Sequence, residues 1–462
     1  MEATMAEDNV LEDFRTTLRG QLIEPEDGEY ASARKLYNGM IDKRPGLIAR
    51  CADVADVISA VNFGRDNDLL IAIRGGGHNG PGLGSCDGGM VIDLSPMKGV
   101  HVNPDRRTVR VEPGCTQGDM DHATHAFGLA VPAGIVSTTG VGGLTLGGGH
   151  GYLSRQHGLT IDNLIEADVV LADGRFATVN DSNHKDLFWA LRGGGGNFGV
   201  VTRFTFRAHP VKEIFGGLMF WDAADARTVM RRYREFLPMA PETFSPFLGL
   251  KTVPGAPPFP EGIWGRKICA IISCYNGTAE KADEVYATMR DGLPEPIFEF
   301  LGTMPFPTIQ SLFDSLLPSG LQWYWKGDFI RELSDTAIDV HIEHAAKAPT
   351  PLSLMHLYPI DGAVNRIGPT ETAWNYRDAT WSMVIAGIDP DPSNADALKT
   401  WAKAYWEALQ PHTAGGAYVN FMMEEGRERI KATYGDNYAR LVDVKKRYDP
   451  NNLFRVNQNI QP

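Results

Sequence analysis

GIVSTTGVGGLTLGGGHGYLSRQHGLTIDN, residues 134–163, is the stretch whose reading decides the kind of fold. An ordinary turn needs one or two glycines, whereas here glycines recur along the whole segment between small and hydroxylated residues. Backbone without a Cβ can approach a ligand closely. Its N–H groups, with the hydroxyls of Ser137, Thr138 and Thr139, can then wrap a long polyphosphate. A glycine-rich structural turn is the competing reading.

Two further glycine clusters flank this one. RGGGHN at 74–79 follows the apolar run LLIAI directly, and a glycine loop just past a strand is where a ligand meets backbone donors. GGGNFG at 194–199 matches the GxGxxG pattern of dinucleotide-binding folds. Its surroundings reject that reading. The fingerprint needs a strand before and a helix after, but NHKDLFWAL, with Ser182 as cap, reads as a helix and VVTRFTF as a strand.

The 462 residues suit two domains, and 43% hydrophobic with 22% charged residues is ordinary globular composition. Fifty glycines, clustered rather than periodic, exclude a collagen or linker reading. A formal net charge of −13 gives no broad reason to bind nucleic acid or anionic lipid, so small-molecule partners are expected. The start, MEATMAEDNVLEDF, lacks the pattern of a secretory signal, and no apolar run approaches bilayer length, so no membrane partner and a cytoplasmic location are expected. Five cysteines without a CxxC pair read as buried free thiols. The pairs His122/His125 and His341/His344 have helical ligand spacing, but neither has an evident third ligand, so no metal is expected.

Asp53 is placed to cap a helix through VADVISAVNF, and a second helix is expected near 117–127. ADVVLADGRFATVN reads as two strands about Asp173-Gly174. Past Pro210 the glycine clusters stop, and residues 211–412 mix strands such as ICAIISCY with helices such as NADALKTWAKAYWEAL. The first forty residues carry no identifiable chemistry, and nothing in the sequence fixes an oligomeric state.

Four segments in order, RGGGHN, GVGGLTLGGGHGYLSRQHGLTIDN (140–163), DLFWALRGGGGNFGVVT (186–202) and YDPNNLFRVNQNI (448–460), resemble the berberine bridge enzyme-like family of FAD-linked oxidases, within the vanillyl-alcohol oxidase (PCMH-type) superfamily. The resemblance runs from about residue 45 to the end. It implies an α+β fold in which residues 1–210 and 413–462 form the FAD-binding domain. Residues 211–412 would be an inserted substrate domain, an antiparallel sheet covered by helices.

The cofactor contacts it implies are Arg74, Gly75, Gly76, Gly77, His78 and Asn79 from the first loop. From the second they are Pro132, Gly134, Ser137, Thr138, Thr139, Gly140, Val141, Gly142, Gly143, Leu144, Gly148, Gly149, Gly151 and Tyr152. Gly199, Val200 and Val201, and after the insertion Tyr418, Asn420 and Asn457, complete the set. His78 stands where relatives bond covalently to the flavin's 8α-methyl carbon, a reaction suited to neutral imidazole. Relatives often add a cysteinyl bond at the position of Val136. Valine cannot form one, so a single link through His78 is expected.

The reaction implied is hydride transfer from a carbohydrate, alcohol or secondary-metabolite substrate to FAD, with O2 taking the electrons to give H2O2. Tyr418 is the expected catalytic base or substrate-orienting group. Plant relatives often carry an active-site tyrosine at the position of Gly80, which puts a borrowed scheme in doubt. Val141 matches a position associated with oxygen access and favours an oxidase over a dehydrogenase. Trp323 and Trp325 share a strand face, as do His356 and Tyr358, and these four are expected to touch substrate. The alternatives are an oxidative cyclase or dehydrogenase of natural-product biosynthesis, and a flavin-loaded binding protein without turnover.

Overall fold

A computed structural model describes residues 2–462, with side chains from residue 10 onward. Its α+β architecture rests on three larger sheets. In the first, Asp53 accepts from the N–H groups of Ala55 and Asp56 and so starts the helix Val54–Asp66. That helix returns the chain, so that Leu47–Arg50 and Ile71–Arg74 both pair parallel with Met90–Asp93. Ile71–Arg74 is the edge strand of this four-stranded sheet, and RGGGHN leaves from its end.

The second sheet is antiparallel, in the order Val100–Asn103, Thr108–Val111, Val200–Arg207, Leu164–Val170, Phe176–Asn180. Its last two strands form the expected hairpin, with Gly174 at φ 80° in the turn. The helix Lys185–Leu191 precedes the GGGNFG loop and the strand Val200–Arg207 follows it, the reverse of a Rossmann unit. The cap differs from expectation: His184 at φ 50° starts this helix, while the Ser182 N–H is held by the Asn180 side chain in the preceding turn.

The third sheet has seven strands, ordered Phe298–Pro305, Glu213–Asp222, Lys267–Tyr275, Phe244–Thr252, Leu354–Pro359, Trp381–Asp389, Gln322–Ile330. Strand alternation divides its faces. Leu248, Leu250, Met355, Leu357, Met383 and Ile385 bury against the helices Ala226–Phe236, Asp335–Ala345 and Ala395–Leu409. On the opposite face Phe247, Tyr358, Val384 and Trp325 turn toward the glycine loops.

After the sheet the chain returns to those loops. Lys445, fully buried, donates to the carbonyls of Asn197 (2.7 Å) and Phe454 (3.0 Å) and pairs with Asp449 (2.6 Å), tying the GGGNFG loop to the C-terminal segment. All five cysteines are buried and unpaired. Among the described residues no helix is long and apolar enough to cross a membrane.

Candidate active site

A cavity of about 360 Å³ lies between the glycine loops and the open face of the seven-stranded sheet. The first loop contributes Arg74, Gly75, Gly76, Gly77, His78 and Asn79, and the second Gly134, Thr139, Gly140, Gly142, Gly143 and Leu144. Gly199 and Val201 come from the third, and Tyr418, Asn420 and Asn457 from the C-terminal part. Trp323, Trp325, His356 and Tyr358 line the sheet side.

The two principal loops meet backbone to backbone, because a Cβ on Gly76 would sit 2.5 Å from the Gly140 Cα. Gly77, at φ 69°, takes a turn that a side chain would strain and delivers His78 into the cavity. His78 Nε2 lies 3.1 Å from the Thr138 hydroxyl, and its ring stacks on Tyr37 at 3.8 Å between centroids. Burial pushes the imidazole pKa down to about 4, so it is neutral at physiological pH.

Tyr418 is buried, and its oxygen accepts from the Gly149 N–H (3.0 Å) and from Asn420 Nδ2 (2.8 Å). Asn420 Nδ2 also faces the carbonyls of Gly143 and Leu144, so one amide pins the returning chain to the second loop. Burial pushes the Tyr418 phenol up to about 12 against the lowering effect of those two donors. With both acceptor directions filled, its proton is the remaining polar feature it can present. On the sheet, the Tyr358 hydroxyl and His356 Nδ1 are 2.7 Å apart.

Nine of the expected contacts stand outside the cavity wall. Ser137 gives its N–H and hydroxyl to Asp314, and the Thr138 hydroxyl is taken by His78, so neither is free for a phosphate. Val141 and Val200 are buried in two different hydrophobic clusters, and Tyr152 in a third. Val141 packs into the core between Gly140 and Gly142, both of which line the cavity. The Pro132 carbonyl accepts from Thr160, Gly148 packs on Trp374, Gly149 serves Tyr418, and Gly151 lies against the Ala133 carbonyl.

Four further side chains belong to the site, none of them among the residues expected from the sequence. Tyr37, from the segment without identifiable chemistry, lines the cavity beneath His78. Its neighbour Asn38 joins the Gly80 carbonyl (2.7 Å) to the backbone of Trp323. His150 is buried among Tyr418, Tyr358 and Phe421, with Nε2 3.1 Å from Ser382 Oγ. Its place inside GGGHGY was a usable signal. Lys251 comes from a strand whose sequence gives no warning of it. The departure at Gly80 also has a physical reason: a Cβ there would collide with the Trp325 indole, which fills the space.

Comparison with known proteins gives the chemistry a family. Residues 45–180 match the model of an FAD binding domain, and residues 417–461 the model described as berberine and berberine like. An FAD-linked oxidoreductase of Dictyostelium discoideum is 33% identical over 460 residues, covering 98% of this chain and 97% of its own. The chain belongs to the berberine bridge enzyme-like family of FAD-linked oxidases.

Among solved relatives in that family, 6-hydroxy-D-nicotine oxidase from Arthrobacter nicotinovorans superposes with a TM-score of 0.86 at 26% identity, covering 96% of this chain and 98% of that one. BBE-like 1 of Physcomitrella patens gives 0.86 at 25% identity, covering 96% and 97%. As a berberine bridge enzyme-like protein the chain is an enzyme that uses FAD. Its cavity suits that cofactor. Gly143 and Gly196 line it with nothing within 4 Å of where a Cβ would stand, so side chains there would fill the cradle. Among the buried polar atoms of lining residues that have no partner are Arg74 Nη1 and Asn457 Oδ1. A donor and an acceptor left unpaired are costly unless a polar ligand meets them.

Proposed function

We propose that this protein is an FAD-linked oxidase that removes a hydride from a hydroxyl-bearing small molecule, a carbohydrate, alcohol or secondary metabolite, and holds its flavin through one covalent bond to His78. FAD, when bound, supplies the hydride acceptor and passes its electrons to O2 as H2O2. The observation that carries the reading is the convergence of His78 and Tyr418 on one cavity between glycine loops and an aromatic sheet face.

Each remaining role falls to the chain. Residues 1–210 and 413–462 form the cofactor-binding part and 211–412 the substrate part. Neutral His78, held by Thr138 and Tyr37, is the nucleophile for attachment. Val136 lines the cavity without a thiol and leaves that bond single. Arg74 Nη2 is fixed by Asp93 at 2.7 Å, which leaves Nη1 for the cofactor's charge. Tyr418 handles the proton of the substrate hydroxyl: as the phenol it hydrogen-bonds the substrate oxygen, and once ionised it takes that proton. The donors Gly149 and Asn420 steady the phenolate. Trp323, Trp325, His356 and Tyr358 form the wall against which the substrate lies.

Anaerobic titration of the holoenzyme with sugars, primary and secondary alcohols and phenolics tests this. Bleaching of the flavin absorbance by one class, with rapid recovery and H2O2 on admitting air, is expected. Slow recovery would make the protein a dehydrogenase, and no bleaching with any class would make it a flavin-loaded binder.

A further inference from the structure

The sheet wall of the cavity carries one cation, Lys251. It lies on the strand Phe244–Thr252, paired with Leu354 on the neighbouring strand, so it shares a face with Phe247 and points the same way as His356 and Tyr358. Its amine forms no ion pair and no hydrogen bond among the described residues, whereas the buried lysines Lys326 and Lys445 are paired with Glu425 and Asp449. Lys251 is half-buried where it lines the cavity. That burial alone lowers its pKa to about 8, with no carboxylate near enough to oppose the fall.

An ammonium group kept from bulk water without a counter-ion is costly, and a hydrophobic side chain at this position would remove that cost. The arrangement is coherent if the missing anion arrives with the ligand. The cofactor's phosphates are not that anion, because the open glycines and the unpaired Arg74 and Asn457 atoms that suit them lie on the opposite wall. Around Lys251 the sheet wall carries its strand partner Leu354 and the neutral imidazole of His356, and Phe313, Trp323 and Pro254 also line the cavity. A single ammonium is one point charge, which balances a singly charged anion such as a carboxylate and leaves one charge of a dianionic phosphate unmatched.

We propose that Lys251 is a specificity-determining residue that binds a carboxylate on the substrate, so that the enzyme acts on a hydroxylated acid with an apolar or aromatic body. Tyr358 lies four residues along the strand from Leu354, about 13 Å at strand spacing. The acid is therefore held at the end of the cavity away from Tyr418 and His150, which contact Tyr358 and its neighbour Phe421. This rests on the reading that the cavity is the substrate site.

The test uses binding to the oxidised holoenzyme, followed by perturbation of the flavin spectrum. The probes are benzoate, phenylacetate and 3-phenylpropanoate, each paired with its primary amide, with phenyl phosphate added. At pH 7 at least one acid is expected to bind tenfold or more tightly than its amide. Lys251→Met should abolish that preference while leaving the amide's Kd and the flavin content unchanged, and Lys251→Arg should restore part of it. Overturning results are the absence of any acid preference in the wild type, including no binding by either partner, a preference that survives in Lys251→Met, or tighter binding of phenyl phosphate than of every acid. Because no turnover is required, failure of the oxidase reading shows up separately, as a flavin that no substrate bleaches.

Discussion

The imidazole of His78 lies flat on the phenol ring of Tyr37, with centroids 3.8 Å apart and planes 17° from parallel. Tyr37 in turn donates its hydroxyl to the Leu317 carbonyl at 2.7 Å, so a residue of the N-terminal segment ties His78 to the stretch that precedes the strand Gln322–Ile330. Tyr37→Ala is expected to cost about 3–5 kcal/mol in stability, the range for losing a buried aromatic, and to slow flavin attachment. Tyr37→Phe keeps the stack and loses one hydrogen bond, about 1 kcal/mol, with attachment near the wild-type rate. Denaturant unfolding and the time course of acid-stable flavin after adding FAD to apoprotein check both.

Tyr418→Phe removes the proton-handling group but little volume. Flavin reduction measured by anaerobic stopped flow should fall about 10²- to 10⁴-fold, the usual weight of a general base, while flavin content stays intact. In the wild type, the phenol is held up to about 12, so the ionised form grows throughout the accessible alkaline range. The reduction rate should therefore rise with pH, and this rise should vanish in Tyr418→Phe. Equal rates in the two proteins would remove Tyr418 from the chemistry.

Asp121 is buried in the helix Gln117–His125, where its only side-chain hydrogen-bond donor among the described residues is Gln310 Nε2 at 3.2 Å, and burial raises its pKa to about 7. In the unfolded chain the same carboxyl titrates near its ordinary value of 3.8. The folded state thus binds the extra proton between those values, and this group's stabilising effect, full below about 4, is lost as pH rises toward 7. Asp121→Asn should gain stability relative to wild type over that window and keep a constant advantage above it. Paired thermal melts at pH 4.5 and 7.5 read the difference.

Lys445→Met leaves the Asp449 carboxylate buried without its cation, although it still accepts from the N–H groups of Leu453 and Phe454. Breaking one side of a buried pair costs about 3–5 kcal/mol. Because the pair joins Asn197 to the segment bearing Asn457, FAD affinity of apoprotein should fall with it. A variant that melts like wild type and binds FAD equally would show that the pair does not organise the site.

What could be read from sequence follows from locality. The Asp53 cap, the Asp173-Gly174 hairpin and the helix-before-strand setting of GGGNFG depend on neighbours in the chain, and all appear in the structure. The paired faces of Trp323/Trp325 and His356/Tyr358 follow from strand periodicity, and all four line the cavity. Glycine motifs located the loops but not which members face inward. Ser137, Thr138 and Val141 are claimed by Asp314, His78 and the core, partners far away in sequence that no local pattern reveals. Tyr37, Asn38 and Lys251 reach the site only through tertiary packing, and lone residues without a motif give no signal.

Attachment of FAD through His78 alone can be read out chemically. The most direct measurement is to precipitate the purified yellow protein in acid, digest the pellet and locate the flavin by peptide mass spectrometry. Flavin is expected to stay with the pellet and map to the peptide containing His78, no peptide containing a cysteine should carry it, and His78→Ala should release all flavin to the supernatant. Flavin freed from the wild-type protein by acid, or still attached in His78→Ala, would contradict it.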